Sequence, residues 1–177
     1  MIGLRRGTVQ LVDHQKSWSM AYNRERKILR RELGSYVCDI QHVGSTSIPG
    51  IQAKPIIDIN IGVVSVRGAK QHMTALQRLG YTLRTPPSPT GRHWKLTYVK
   101  GPEGRRMVHL HVLRYQGVLW RKNILFRDTL RKNKRLARQY EHLKKTLAAQ
   151  FPNDRKKYTA GKLPFIFRVQ KRYRRTI

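Results

Sequence analysis

The sequence is poor in acidic residues, has almost no cysteine and lacks any long hydrophobic run. Of its 177 residues only 9 are Asp or Glu, against 38 Lys or Arg, and Cys38 is the single cysteine. One cysteine excludes an intramolecular disulfide and a cysteine-rich zinc site. No apolar run approaches the ~20 residues that a membrane-spanning helix needs, and residues 1–10 lack the apolar stretch of a signal peptide. We therefore expect a cytoplasmic protein in which Cys38 is a small core residue.

The imbalance of charge gives the chain a formal net charge of +29. Such a charge predicts attraction to polyanions such as nucleotides and nucleic acid. Hydrophobic residues make up 39% and charged residues 27%, which are values typical of folded proteins and exclude wholesale disorder. Residues 1–112 carry a net +12 and residues 113–177 a net +17, and both parts show apolar periodicity. The charge therefore belongs to a folded surface and not to a basic tail.

Three explanations of this charge stay open at the level of sequence. The first is that the surface binds nucleic acid. The second is that the charge was introduced by engineering, and the third is that it reflects a compositional bias of the genome with no partner implied. An even spread of cations over exposed positions fits engineering better than a single stripe along a groove would. All three explanations predict nonspecific, salt-dependent binding of nucleic acid and other polyanions.

Hydrophobic periodicity predicts a sheet-containing region followed by a helical one. Strands first and helices last, over a small mixed sheet, indicate an α+β class. We expect a single domain over residues 1–177, with the sheet-containing core at about 1–114 and a helical part at 115–177. The predicted strands are 8–12, 36–43, 55–63, 81–83, 93–99 and 107–113. The predicted helices are 17–33, 66–79, two from about 119 onward, and a last one after 152–154 in which Pro164 produces a kink or marks the true start.

Two polar side chains share one face of the predicted strand at 55–63. Because side chains alternate along a strand, Asp58 and Asn60 lie on the same face as Ile56. That face presents a carboxylate and an amide side by side, whereas the other face is predicted to be core. The core face carries Ile57, Ile59 and Ile61.

A turn containing Gly44 and Ser45 precedes that strand, and backbone N–H groups in such a turn can cradle a phosphate. This layout is typical of polymerase-beta-like nucleotidyltransferases, in which Gly-Ser holds a triphosphate and paired acids hold Mg²⁺ for in-line attack. The alternative is that Asp58 is an edge-of-sheet or capping carboxylate. Asp58 is the only acidic residue between Asp39 and Glu103, and this isolation favours a functional role.

The chain resembles the GrpB family in a series of motifs that occur in order from about Val9 to Val169. The family is placed in the nucleotidyltransferase superfamily, so the resemblance implies a nucleotidyltransferase-like mixed sheet packed with helices, and a transferase that binds nucleotides. The reaction and substrate of the family are poorly defined. The motifs are His42-Val43-Gly44-Ser45-Thr46-Ser47-Ile48-Pro49-Gly50, Ala53-Lys54-Pro55-Ile56-Ile57-Asp58-Ile59, His109-Leu110-His111-Val112, Phe126-Arg127-Asp128 and Tyr158-Thr159-Ala160-Gly161-Lys162.

The sequence departs from the superfamily pattern at two places. Asn60 occupies the position of the second strand acid, and a neutral amide oxygen binds Mg²⁺ more weakly than a carboxylate does. No third acid is found on the later strand, where His109 and His111 share one face. A divalent metal, Mg²⁺ or Mn²⁺, is the expected cofactor, although Asp58 with the two histidines is closer to a transition-metal set. The alternative is that the histidines bond to Asp58 or to a ligand phosphate and bind no metal.

Three basic residues match family positions and are candidates for binding phosphate or another anion. They are Lys54, Arg127 and Lys162, and Arg127 is suited to bidentate binding. In a chain with 38 basic residues, the alternative for each is a solvated surface cation. For Arg127 a further alternative is that its side chain pairs with a residue at the adjacent helix position or with groups around Asp128. His42 is expected to be a hydrogen-bonded structural histidine.

Two functions of different classes remain open. The first is metal-assisted nucleotidyl transfer, with Asp58 and Asn60 as catalytic residues and the Gly44-Ser45 turn, Lys54 and Lys162 binding phosphate. The second is a catalytically depleted module that binds a nucleotide or RNA. Asn60 and the missing third acid favour the second function, whereas the Gly-Ser turn and Asp58 favour the first. The sequence leaves the oligomeric state open.

Overall fold

The computed structural model describes residues 2–67, 72–84 and 95–173. Three helices follow the last strand, as predicted for the C-terminal part of the chain. The strands are β1 (Leu4–Arg5), β2 (Val37–Val43), β3 (Ile57–Val63), β4 (Tyr81–Leu83), β5 (Lys95–Lys100), β6 (Arg105–Arg106) and β7 (Val108–Arg114). The helices are α1 (Ser17–Leu33), α2 (Met73–Arg78), α3 (Val118–Lys132), α4 (Lys134–Gln150) and α5 (Arg155–Arg172).

Five strands form one mixed sheet in the order β2-β3-β7-β5-β4. Strands β3 and β7 pair in parallel, and the other neighbours pair antiparallel. Strands β1 and β6 form a separate two-stranded sheet. The predicted α+β class is therefore confirmed.

One face of the sheet packs against helix α1. The predicted core face of β3 is confirmed, since Ile57, Ile59 and Ile61 are at most 1% exposed. They join a cluster that includes Trp18 and Leu29 from α1. Helix α1 has the predicted bounds, and it stops at Gly34, whose φ of 52° is in the left-handed region that glycine tolerates best.

The C-terminal helices pack against one another and cover the opposite face of the sheet. Helices α4 and α5 begin at residues whose side chains accept a hydrogen bond from the first helical turn, Asn133 from the Leu136 N–H and Asp154 from the Lys157 N–H. Such N-caps satisfy backbone donors that have no partner within the helix. The second core joins these helices to the loop after β2, and it contains Ile48, Ile51, Phe126, Leu130, Ala137, Tyr140, Phe165 and Val169.

The predicted strand at 8–12 is wrong. Within it only Val12 makes a bridge, to Ala53, and the first strand is Leu4–Arg5. The Val9 N–H donates instead to the Pro152 carbonyl at 2.7 Å, and the Val9 side chain packs with Leu147 and Tyr158. Val9, which was predicted to lie in a strand, therefore contacts the C-terminal helices instead.

Two further expectations are corrected by local structure. Cys38 is exposed and does not belong to the core, because the register of β2 against β3 shifts between Val37 and Asp39. Pro164 does not mark the start of the last helix, since it lies inside α5. Parts of the elements predicted at 66–79 and 93–99 lie outside the described residues. Among the described residues, no helix is long and apolar enough to cross a membrane.

A buried lysine joins helix α4 to the loop that precedes β3. Lys144 is 1% exposed, donates to the Gln52 carbonyl and lies 5.1 Å from the centre of the Tyr140 ring. On the same helix, Glu141 accepts a hydrogen bond from the Gln52 N–H at 2.6 Å. Burial, and then the nearby charge of Lys162, lower the pKa of Lys144 to about 7.

This lowered pKa predicts a pH dependence of stability. Between pH 7 and 10 the unfolded chain holds more protons at Lys144 than the folded chain does, so the free energy of unfolding should rise with pH. The variant Lys144→Met lacks this contribution and should show a shallower rise. Urea unfolding at pH 7, 8.5 and 10 measures the slope, and the exposed Lys134→Met is the control that should keep it. Equal slopes in wild type and Lys144→Met would contradict the prediction.

Candidate functional site

The turn after β2 is built so that its backbone lies directly against Asp58. Gly44 has a φ of 71° and a ψ of −175°, a conformation that residues with a side chain rarely adopt. A Cβ on Gly44 would lie 2.9 Å from the Asp58 Cβ and closer still to its Oδ2. The next residues, Ser45–Ser47, form a single 3₁₀ turn, whose first N–H groups have no partner within the turn. Glycine is therefore required for the close approach of this turn to the carboxylate.

Asp58 lies beside the two predicted histidines because β3 and β7 run parallel in register. Asp58 is opposite His109, and Asn60 is opposite His111. The Asp58 Oδ1 is 3.1 Å from His109 Nδ1 and 3.9 Å from His111 Nε2. Burial disfavours the charged carboxylate, but the hydrogen bond from His109 and the nearby ring of His111 outweigh it and hold the pKa of Asp58 well below its usual value. Asp58 is therefore ionised at neutral pH.

Both ring nitrogens of His109 have a partner. Arg155 Nη2 lies 3.1 Å from His109 Nε2, and a guanidinium can only donate. His109 Nε2 therefore accepts, and Nδ1 carries the proton that is donated to Asp58. Burial lowers the pKa of His109 in spite of the neighbouring carboxylate, which agrees with this neutral tautomer.

These residues line a cavity of about 180 Å³ between the sheet and helix α5. Three of its lining residues are cations, and one is an acid, Asp58. Lys54 Nζ and Lys162 Nζ lie 4.8 and 4.7 Å from the centre of the Tyr158 ring. The cavity is lined by Ser45, Thr46, Lys54, Ile56, Asp58, His109, Arg155, Tyr158, Thr159 and Lys162.

The crowding of positive charge is costly in the absence of an anion. Burial, followed by the charges of Lys162 and Arg155, lowers the pKa of Lys54 to about 7. An anion in the cavity would offset this repulsion and favour the protonated lysine. The arrangement therefore places three basic side chains and one ionised carboxylate in the wall of one small cavity.

The same residues fit a resident metal ion poorly. The described part of the chain contains no group of three or more His, Cys, Asp and Glu side chains arranged to hold a metal. Both ring nitrogens of His109 already have hydrogen-bond partners, so a metal bound to either one would have to displace Asp58 or Arg155. Asp58 alone suits Mg²⁺ or Mn²⁺ that arrives with a substrate, because Mg²⁺ is commonly bound by one or two carboxylates together with substrate phosphates. Metal binding by His109 and His111 stays a prediction.

The structure brings most of the predicted site residues together. Ser45, Lys54, Asp58, His109 and Lys162 all line the cavity. Gly44 packs behind Asp58, and His111 is within reach of its carboxylate. His42, for which a structural role was expected, bonds through Nε2 to the Thr46 hydroxyl at 3.1 Å and stacks on Tyr22.

Asn60, predicted to be catalytic, lies away from the cavity. It is fully buried, and its Oδ1 accepts a hydrogen bond from Asn123 Nδ2 of helix α3 at 3.3 Å. Its Nδ2 is buried and has no hydrogen-bond partner among the described residues. A catalytic role for Asn60 stays a prediction, and its contacts are those of a residue that joins β3 to α3.

Arg127, predicted to bind phosphate, also lies outside the cavity lining. It is 8% exposed, and it donates to both carboxylate oxygens of Asp128 at 2.7 and 3.2 Å. Its Nη1 donates to Gln41 Oε1 and to the His42 carbonyl, at 2.6 and 2.9 Å. Arg127 thus fastens helix α3 to strand β2, and these contacts match the alternative of pairing around Asp128.

Sequence reasoning missed the contribution of Arg155. Arg155, Tyr158, Thr159 and Lys162 all line the cavity and recur at intervals of three and four along α5. That spacing places side chains on one face of a helix. This spacing indicates that the four side chains share a helix face, but it does not distinguish Arg155 from the many surface cations in the same helix.

Fold and site together define an α+β protein with a mixed sheet and a cationic cavity against its C-terminal helix. The family profile described as "GrpB protein" matches residues 8–172, and the chain belongs to this family. It is 37% identical to the "Glutamate-rich protein GrpB" of Alkalihalophilus pseudofirmus, over 94% of this chain and 96% of that protein. It is 34% identical to the protein YqkA of Bacillus subtilis, over 87% of this chain and 44% of YqkA.

A solved structure has the same fold. The crystal structure of conserved protein GrpB from Enterococcus faecalis superposes with a TM-score of 0.80 at 28% sequence identity. The match covers 93% of this chain and 99% of that one. The fold is therefore shared over nearly the whole length of both chains.

The fit of Gly44 against Asp58 gives a test with a matched control. Gly44→Ala and Gly50→Ala both place a side chain at a positive φ, 71° and 76°, but open space surrounds Gly50. Each should lose about 1–3 kcal/mol from a backbone conformation that residues with a side chain rarely adopt, and Gly44→Ala should lose more because Asp58 must move. Urea unfolding measures the loss, and the NMR shifts of the His109 ring should change in Gly44→Ala alone. Equal losses and an unchanged His109 signal would contradict this account.

Proposed function

We propose that the cavity binds the phosphate groups of a nucleotide or of a similar phosphorylated small anion. The observation that carries the proposal is the convergence of Lys54, Arg155 and Lys162 on one small cavity beside the Ser45 turn. Placing three cations together is unfavourable unless an anion shares the space. A polyphosphate has the charge and the oxygen acceptors that these donors need.

The groups around the cavity are suited to different parts of such a ligand. Arg155 carries a planar fork of donors that matches two phosphate oxygens. Lys54 and Lys162 supply point charges from opposite elements of the wall, and the turn at Ser45 supplies backbone N–H donors. Asp58 would repel an anion at its own position, so the phosphate is expected on the side of Arg155 and the lysines.

The size of the cavity supports binding of one end of the ligand. Pockets that enclose a drug-sized molecule span about 300–1,000 Å³, and this cavity has about 180 Å³. That volume suits a phosphate or diphosphate group and leaves the nucleoside part outside. The proposal therefore concerns recognition of the phosphates, with little selection among bases by the cavity.

Removal of one cavity cation should weaken this binding far more than removal of a surface cation. Lys162→Gln should reduce the affinity for ATP or pyrophosphate about tenfold or more, as expected for a charged hydrogen bond worth roughly 1.5–3 kcal/mol. The exposed Lys171→Gln lies on the same helix and lowers the net charge equally, so it should change the affinity less than twofold. Isothermal titration calorimetry at 200 mM NaCl limits the nonspecific contribution of the +29 charge. Equal losses in both variants would overturn the proposal.

Metal-assisted nucleotidyl transfer is the second candidate, and the ionised Asp58 against the Gly44 turn is the observation that favours it. A divalent cation brought by the nucleotide would neutralise charge on the phosphates during in-line attack. In this reaction Asp58 would contribute one carboxylate to Mg²⁺ or Mn²⁺, while Lys54, Arg155 and Lys162 hold the phosphates. Membership of the nucleotidyltransferase superfamily would agree with this role. The buried amide of Asn60 and the histidines in place of a third acid favour the binding function.

Transfer can be separated from binding at Asp58. With labelled nucleoside triphosphates, Mg²⁺ or Mn²⁺ and a panel of protein, RNA and small-molecule acceptors, wild type should transfer label and Asp58→Asn should not. Asp58→Asn should at the same time bind pyrophosphate at least as tightly, because it removes a negative charge from the wall. No transfer by wild type under any of these conditions would leave binding as the function of the cavity.

Nucleic acid is a further expected partner, and we expect it to bind to the basic surface and not in the cavity. The +29 charge predicts nonspecific binding whose strength falls steeply with salt.

A further inference from the structure

A second cavity, larger than the first and different in character, lies along helix α3. Its volume is about 740 Å³, within the range of about 300–1,000 Å³ in which proteins bind small molecules. It shares no lining residue with the Asp58 cavity. Its apolar and aromatic walls are formed by Tyr115, Trp120, Ile124, Leu125 and Tyr173.

The two cavities are separated along strand β3. Two residues that line the second cavity, Tyr115 and Trp120, pack on Gly62. Gly62 lies four residues after Asp58 on the same face of β3, a distance of about 13 Å at ~3.3 Å per residue. Asn60 lies between them, joined to Asn123 of α3. A ligand in the second cavity would therefore occupy a site of its own.

The aromatic wall depends on a glycine inside a strand. A Cβ on Gly62 would lie 2.7 Å from the Tyr115 ring and 3.0 Å from the Trp120 ring. The two rings meet edge to face, with their centres 5.4 Å apart. Glycine weakens a strand interior and commonly marks a close approach. Here it allows the two rings to lie directly on the sheet.

Exposed apolar side chains collect next to this wall. Of the seven large hydrophobic residues that are exposed in the described part of the chain, four belong to this region. Val64 follows Val63, whose carbonyl accepts the Tyr115 N–H, and the other three lie just before or within the start of α3. The four are Val64, Tyr115, Val118 and Leu119. Such a concentration on a surface dominated by cations indicates a binding site.

The charges around the cavity select the sign of the ligand. Asp128 lines it, but both of its carboxylate oxygens accept hydrogen bonds from Arg127. Arg121 and Lys132 also line it and are exposed. The charge available to a ligand is therefore positive.

We propose that this cavity binds a flat aromatic anion, with its rings against Tyr115 and Trp120 and its acidic group toward Arg121 and Lys132. Aromatic faces and edges favour ring packing, and the two cations favour a carboxylate, sulfonate or similar group. This inference is independent of phosphate binding in the Asp58 cavity, because no side chain takes part in both.

The fluorescent aromatic sulfonate 1-anilinonaphthalene-8-sulfonate is a suitable probe on the full chain at 200 mM NaCl. Wild type should bind one equivalent at a saturable site. Thr129→Phe, which fills the cavity from α3, should weaken binding about tenfold or more by excluding the rings. Arg121→Gln should weaken it several-fold, whereas Lys122→Gln, an exposed neighbour that does not line the cavity, should leave it within twofold of wild type. Circular dichroism checks that each variant is folded.

Two results would overturn the inference. One is a folded Thr129→Phe that binds the dye as tightly as wild type, and the other is an equal loss in Arg121→Gln and Lys122→Gln. Two controls show whether the dye binds in the Asp58 cavity instead. Neither the Lys162→Gln substitution nor excess pyrophosphate should change dye binding. If either weakens dye binding, the dye occupies the Asp58 cavity, and the inference fails while phosphate binding there survives.

Discussion

The parallel pairing of β3 with β7 is the constraint on which the rest of the site depends. It places Asp58 opposite His109 and Asn60 opposite His111, so that a carboxylate and an imidazole bond across the sheet. The bond to Asp58 fixes the proton of His109 on Nδ1 and leaves Nε2 to accept from Arg155. Through this chain of hydrogen bonds the first turn of α5 is joined to the sheet, and the cavity between them acquires its third cation.

The high positive charge has different meanings inside and outside this cavity. On the surface the cations are solvated and exchange counterions freely, so they predict nonspecific attraction to polyanions. In the cavity three cations surround one carboxylate. Burial, followed by the charges of Lys162 and Arg155, lowers the pKa of Lys54 to about 7. In the proposed function, the cations inside the cavity, and not the number of surface cations, would define the specific ligand. At the other end of β3, the ligand proposed for the aromatic cavity would be selected by shape as well as by charge.

Local sequence patterns predicted the elements that depend on alternation and helical spacing. The isoleucine face of β3 and the bounds of α1 follow from residues close together in the chain. The Gly44 turn, Asp58 and the two histidines were recognisable because chemically distinctive residues are rare in this sequence. Contacts between distant segments were harder: Val9 bonds to Pro152 and not to a strand, and Asn60 and Arg127 are occupied by partners on α3 and β2. Arg155 was missed because its helical spacing did not distinguish it from the other basic residues, of which there are 38 in all, and only the fold places it beside His109.

The most direct test of this account is a crystal structure of the chain with a bound phosphate analogue, for which tungstate is suitable because its density is unmistakable. The account predicts one well-occupied anion within hydrogen-bond distance of Lys54, Arg155 and Lys162, on the side of the cavity away from Asp58. Anions distributed only over the exposed basic residues of the helices, with the cavity filled by water, would contradict it.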